Sequence, residues 1–180
     1  MCFLLTVYNG FHQSSDVVKN LFNNLFINKS YNKQVRPIND QNATIIVTVD
    51  FELFSNHDFD EVAEKIAVSG NLEVIWWDDQ LVWNRSAYND IYDMLLLQDM
   101  IWKPDVVLKN GYNKFEELGG SFYYVIVNHN GLVAWYPYHM FESKCSMDVT
   151  FYPFDEQNCH VIFIIWSYRY YKVGFYPDSK

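Results

Sequence analysis

From Ala43 onward the apolar residues of this chain fall into short segments, many of period two, and that pattern restricts the fold to a sheet protein. Ile45, Val47, Val49, Phe51 and Leu53 share one face of a strand, with Thr44, Thr48, Asp50 and Glu52 on the other. Further strands are expected over Leu72–Trp77, Gln80–Trp83, Val106–Leu108, Phe122–Val127, Leu132–Tyr136, Asp148–Phe151 and Val161–Trp166. Asn130-Gly131 marks a hairpin turn between two of them. Before Ala43 the period is helical: Ser14-Ser15-Asp16 supplies capping side chains, and Val17, Val18, Leu21, Phe22, Leu25 and Phe26 follow at 3.6-residue spacing. The helix is expected to end before Val35-Arg36-Pro37, because proline disfavours helix at its predecessor. The 180 residues, 50% of them hydrophobic, suffice for one buried core. The expected fold is mainly β, an immunoglobulin-like antiparallel β-sandwich with one N-terminal α-helix.

With 13 Lys+Arg against 22 Asp+Glu the net charge is −9, which disfavours phosphate backbones, so no nucleic-acid partner is expected. The longest apolar run has six residues, far short of the ~20 of a spanning helix. Met1-Cys2-Phe3-Leu4-Leu5-Thr6-Val7 has part of the look of a secretion signal without its basic leader, and residues 1–13 read as a leader, a truncated signal, ahead of a domain at 14–180. Of three cysteines, Cys2 lies in that leader, whereas Cys145 and Cys159 have 13 residues between them; one disulfide is the natural reading. Asn28-Lys29-Ser30, Asn42-Ala43-Thr44 and Asn84-Arg85-Ser86 are three N-glycosylation acceptor patterns. Beside a disulfide they favour an extracellular location.

Catalysis finds little support. HExxH, GxSxG, GxGxxG and P-loop motifs are absent from the sequence, and His12, His57, His129, His139 and His160 lack metal-ligand spacing. Asp58/Asp60 and Asp78/Asp79 read as solvated loop carboxylates. No enzyme, cofactor or metal is expected.

The specific stretch is Cys145-Ser-Met-Asp-Val-Thr-Phe-Tyr-Pro-Phe-Asp-Glu-Gln-Asn-Cys159, with Phe151, Pro153, Phe154 and Asp155 inside it. It resembles the signature loop of the Cys-loop, or pentameric, ligand-gated ion channels. A generic disulfide closing about 15 residues contributes roughly 3 kcal/mol through loop entropy and requires neither the proline nor its aromatic flanks. Trp102-Lys103-Pro104-Asp105 resembles the segment opening the family's first principal-face binding loop, and Trp83-Asn84 resembles its preceding landmark. Val35-Arg36-Pro37-Ile38, Gly131 to Pro137 and Trp166-Ser167-Tyr168 take the places of other family segments. The resemblance runs from about residue 14 to 173 and is greatest to nicotinic acetylcholine receptors.

The resemblance implies a ring of five sandwich domains with ligand sites between neighbours. Trp166 would be the aromatic wall that attracts a small quaternary ammonium through its quadrupole, with Ser167 and Tyr168 beside it. Trp102 and Asp105 would support it, Asp105 by accepting hydrogen bonds from the Trp166 loop. Two positions depart from the family. Lys109 stands where its first loop carries a tyrosine, with Tyr112 three residues further on. Asn71 stands where nicotinic subunits carry a complementary-face tryptophan, and Trp77 is nearby. The chain also ends before the family's third principal-face loop and its four membrane helices, so the domain is expected to be incomplete at that end.

The expected function is the extracellular ligand-binding part of a channel subunit, joined to the membrane through a domain outside this chain and to other subunits in a pentamer. The apolar Phe151 to Asp155 loop tip favours this, since in channels that tip rests on the membrane domain. Alternatives are a secreted acetylcholine-binding-protein-like pentamer and, given Lys109 and Asn71, a sensory or accessory subunit tuned to another ligand.

Overall fold

The computed structural model describes residues 14–120, 122–148, 150 and 154–177. The leader, Phe151 and Pro153 lie outside them. The helix α1 (Ser15–Asn23) begins where the side-chain oxygen of Ser14 accepts the Val17 N–H at 3.4 Å, with Asp16 in the first turn, where a negative charge complements the helix dipole. Its apolar stripe drives Leu21 and Leu25 to complete burial. Phe22 and Phe26 stack at 4.6 Å as the last turn widens into a π-helical segment over Asn24–Asn28.

The strands are β1 (Ile45–Asp60), β2 (Lys65–Val82), β3 (Asp93–Leu97), β4 (Val106–Leu108), β5 (Tyr124–Asn128), β6 (Asn130–Trp135), β7 (Tyr138–Lys144), β8 (Phe163–Ile165) and β9 (Val173–Pro177). One sheet runs β3-β5-β6-β2-β1-β9, with β7 also paired to β2, and the second pairs β4 with β8. The sheets face each other across aromatic side chains: Phe163 of β8 lies 5.5 Å from Phe51 of β1 and 5.0 Å from Phe141 of β7. The fold is a β-sandwich with one N-terminal helix. Among the described residues no helix is long and apolar enough to cross a membrane.

Four sequence expectations change. The core-facing row of β1 ends at Phe51, Leu53 being 57% exposed, and register shifts between Leu53 and Ser55 and between Asn56 and Asp58 break the alternation beyond it. The segments Leu72–Trp77 and Gln80–Trp83 belong largely to a single strand, β2, because the acidic pair between them is absorbed as an irregularity in its pairing with β6. Asp148 and Thr150 are not in a strand; residues 149 and 151 lie outside the described set. The pairing is also not wholly antiparallel, since β9 joins β1 in parallel, with Ile45 opposite Val173.

Arg36, 8% exposed, secures that parallel edge. Its Nη1 donates to the carbonyls of Ala43 (2.9 Å) and Lys172 (2.7 Å), and its Nη2 to that of Gln41. One guanidinium thereby ties the entry of β1 to the entry of β9, and Pro37 keeps the chain extended beside it.

The β5–β6 hairpin turns through His129–Gly131, with Val127 opposite Val133. Gly131 has φ +88°, and a Cβ there would stand 2.5 Å from the Asp78 carbonyl oxygen. Both features require glycine. Gly131→Ala is therefore expected to destabilise the domain by about 2–3 kcal/mol, read as a lower urea midpoint at unchanged slope; an unchanged midpoint would contradict this geometry.

Candidate ligand site

The antiparallel pairing of β4 with β8, with Val106 opposite Ile165, sets Trp102–Asp105 alongside Trp166–Tyr168. Asp105 then holds the second segment twice. Its carbonyl oxygen accepts the Trp166 N–H at 3.2 Å, and its Oδ2 accepts the Ser167 N–H at 2.6 Å. Its other carboxylate oxygen, Oδ1, is buried without a hydrogen-bond partner among the described residues. One residue further, Trp102 Nε1 donates to the Tyr168 hydroxyl at 3.2 Å, with the two rings 6.0 Å apart. Trp102 is itself buried, edge-on to Trp76 at 6.0 Å.

With its backbone fixed in this way, the Trp166 side chain is left 61% exposed. Trp76, Trp83, Trp102 and Trp135 are all buried, and only Trp77, on β2, is also open, at 53%. Trp166 borders a cavity of about 310 Å³ whose walls include Val107, Phe115, Leu118, Trp135 and Lys103. Lys103 Nζ lies 2.8 Å from Glu117 Oε1 and 5.4 Å from the centre of the Trp135 ring, so its charge is matched on both sides. Phe115 packs on Trp166 with ring centres 4.6 Å apart at 61°.

A polar chain runs beneath the site. The Trp102 N–H donates to the Tyr31 hydroxyl at 3.0 Å, and that hydroxyl donates to Asp78 Oδ2 at 2.7 Å. Asp78 Oδ1 accepts the Gln80 N–H at 2.9 Å. Asp78 is completely buried, and the loss of water pushes its carboxyl up to about 6, against the lowering effect of its hydrogen bonds. Burial and the neighbouring carboxylate push the Tyr31 hydroxyl well above the usual tyrosine range. The sequence expectation of Asp78 is a solvated loop carboxylate. The structure corrects this, because β2 continues straight through the acidic pair and turns Asp78 inward.

Not every residue singled out from the sequence joins Trp166. Lys109 is exposed at the end of β4, where its N–H donates to the Ile162 carbonyl at 2.7 Å. Tyr112 donates its N–H to Glu142 and carries Lys65 Nζ 5.4 Å from its ring centre. Neither residue lines the Trp166 cavity. Asn71 lies opposite Glu52 of β1 and Tyr138 of β7, in a separate cavity of about 480 Å³ with Asp50, Glu52, Glu73 and Tyr136. Trp77 pairs with Leu132 six residues along β2, roughly 20 Å away, and does not share that cavity. Phe115, Leu118 and Trp135 are wall residues that sequence reasoning missed. The available signal was Phe115 itself, an aromatic residue in the polar run Asn113-Lys-Phe-Glu-Glu117.

The disulfide joins Cys145 and Cys159 with their Cα atoms 5.1 Å apart. Within its loop Gln157 bridges the arms, accepting the Asp148 N–H at 3.0 Å and donating to the Asp148 carbonyl at 2.9 Å. Phe154 is 88% exposed and Asp155 half-buried. Asn28, Asn42 and Asn84 are all exposed.

A sequence profile of the neurotransmitter-gated ion-channel ligand binding domain matches residues 18–180. Neuronal acetylcholine receptor subunit beta-3 of Homo sapiens is 36% identical over 160 residues, 88% of this chain and 34% of that protein. Neuronal acetylcholine receptor subunit alpha-6 of Mus musculus is 34% identical over 171 residues, covering 93% and 33%. Acetylcholine receptor subunit delta of Xenopus laevis is 30% identical over 151 residues, covering 83% and 28%. The chain belongs to the neurotransmitter-gated ion-channel ligand binding domain family, a family of receptor subunits and not of enzymes. It spans about a third of the length of these curated relatives.

Because the folded Asp78 carboxyl sits above its ordinary 3.8, it favours the fold while protonated and loses that contribution as pH rises through about 6. Urea unfolding from pH 4 to 7 is expected to show wild type losing on the order of 2 kcal/mol relative to Asp78→Asn. Parallel pH profiles for the two proteins would contradict it.

Proposed function

We propose that this chain is the extracellular ligand-binding part of a subunit of a pentameric, nicotinic acetylcholine receptor-like channel, and that it takes a small cationic ligand against Trp166 at a subunit interface. The observation that carries the reading is the presentation of Trp166. Its backbone is fixed by Asp105 while its indole is left open beside an aromatic-walled cavity. An indole face offers a quaternary ammonium about 0.5–2 kcal/mol, depending on how fully the contact is desolvated. Ser167 and Tyr168 orient that wall, and Trp102 and Asp105 support it from behind. The relatives matched are named acetylcholine receptor subunits, which supports a ligand of this charge.

Gating in such an assembly is a shift of populations: ligand that binds one ring conformation better biases the pore toward it. The exposed Phe154 on the disulfide loop is consistent with a channel, whose loop tip would rest on a partner surface. That surface would be the membrane domain of the same subunit, on the outer side of the plasma membrane. The exposed acceptor asparagines Asn28, Asn42 and Asn84 are the proposed glycosylation positions.

A second reading has its own observation. The Asn71 cavity is lined by Asp50, Glu52, Glu73 and Tyr136 and has no tryptophan, so two copies of this chain do not supply two indole walls. A subunit tuned to another ligand, or contributing only its Trp166 face in a mixed ring, fits that arrangement.

The test compares acetylcholine with its uncharged carbon isostere, 3,3-dimethylbutyl acetate. Wild type is expected to prefer the cation, and Trp166→Ala to lose roughly 3- to 30-fold of that preference. Equal discrimination in both proteins would overturn the reading.

A further inference from the structure

We propose that Phe115 determines access to the Trp166 wall: without ligand its ring occupies one approach to the indole, and a small quaternary ammonium binds there by displacing it. The proposal rests on the reading of Trp166 as the ligand wall. With ring centres 4.6 Å apart, nothing the size of a methylated ammonium fits between Phe115 and Trp166. A cation attracted by the indole has to come within about 6 Å of the ring centre, which is the space Phe115 fills on that side. The pair is a ready-made competitor, since tilted aromatic contacts have a favourable energy similar in size to an exposed cation–π contact.

The chain on both sides of Phe115 is anchored, so the ring, not the loop, is the part free to move. On one side Gly111 bridges Ser143, Tyr112 N–H donates to the Glu142 carbonyl, and the Asn113 amide donates to the Glu142 carboxylate. On the other, Glu116 lies 3.7 Å from His139 Nε2, Glu117 holds Lys103, and Leu118 is buried. Phe115 itself is 44% exposed, with little core packing to retain it. There is also somewhere for it to go. It also lines a second cavity of about 310 Å³, walled by Leu108, Leu118, His139 and Phe141. The proposed displacement is a side-chain rotation of Phe115 towards that second cavity, a class of motion that takes picoseconds to nanoseconds for an exposed side chain.

The consequence is a selectivity rule. On the side that Phe115 covers, a ligand gains the Trp166 contact only by giving up the Phe115–Trp166 contact, so weakly interacting or uncharged apolar molecules gain little there, and the affinity of small cations for that side is held down.

The experiment titrates tetramethylammonium chloride into the wild-type chain, Phe115→Ala, Phe115→Leu and Trp166→Ala, following binding calorimetrically after circular dichroism has confirmed each fold. Phe115→Leu keeps most of the apolar volume and serves if the alanine variant does not fold. Phe115→Ala, and to a smaller extent Phe115→Leu, are expected to bind roughly two- to tenfold more tightly than wild type, the span of one aromatic pair. Trp166→Ala is expected to lose the binding. Unchanged or weaker binding in both Phe115 variants, with Trp166 still required, overturns the gate and leaves the wall standing. Binding that persists in Trp166→Ala, or fails in all four proteins, overturns the wall and the gate with it.

Discussion

Three distant parts of the chain meet at the Tyr31 hydroxyl, which joins Trp102 to the buried carboxylate of Asp78, and the site is built outward from that meeting. Asp78 brings the long strand β2, Tyr31 brings the segment after α1, and the Trp102 N–H brings the approach to β4. Burying a carboxylate is costly unless its lone pairs are satisfied, so each partner has to be in place before the charge is tolerated. Such a group penalises alternatives more than it strengthens the fold. If Trp102 were displaced, the Tyr31 hydroxyl would lose its donor and Tyr168 its indole partner.

From Trp102 the constraint passes to the surface in two steps. Lys103-Pro104 carries the chain to Asp105, whose carboxylate and carbonyl capture two successive N–H groups of the Trp166 loop. Backbone donors at 2.6 and 3.2 Å leave that loop little freedom. The Trp166 side chain therefore projects from a fixed base, and a preorganised wall binds without first having to order itself. The same logic explains the neighbouring charges. Lys103 is matched by Glu117 and the Trp135 ring, so a cation in the cavity of a chain with net charge −9 meets little uncompensated positive charge.

Much of the architecture was legible in the sequence because its signals are local. Ser14 capping Val17 and the stripe of Leu21 and Leu25 announce α1, and the alternation from Ile45 to Phe51 announces the inner row of β1. The strands β3, β7 and β9 were missed for a common reason: their outward residues are themselves apolar or aromatic, as at Leu95, Met140 and Tyr176, which blurs the period of two. The parallel β1–β9 pair was unreadable since it depends on Arg36 reaching the Lys172 carbonyl, 136 positions away. Within the candidate site, Trp102, Asp105 and Trp166 were picked out through the resemblance of their segments to the binding loops of the family. Phe115 was not, because its place beside Trp166 is set by tertiary contacts of Gly111 and Glu117. Lys109 and Tyr112 attracted notice by their distance from Trp102 in sequence, but the turn after β4 carries the chain away from Trp166 towards β7.

The proposed function depends on the open indole of Trp166 meeting the ligand. It is tested most directly by nuclear magnetic resonance of the six indole N–H groups during titration with tetramethylammonium chloride. The Trp166 signal is expected to shift with a saturable dependence, while those of the buried Trp76 and Trp83 and of the exposed Trp77 stay in place. A saturable shift at Trp77, or at none of the six, would contradict it.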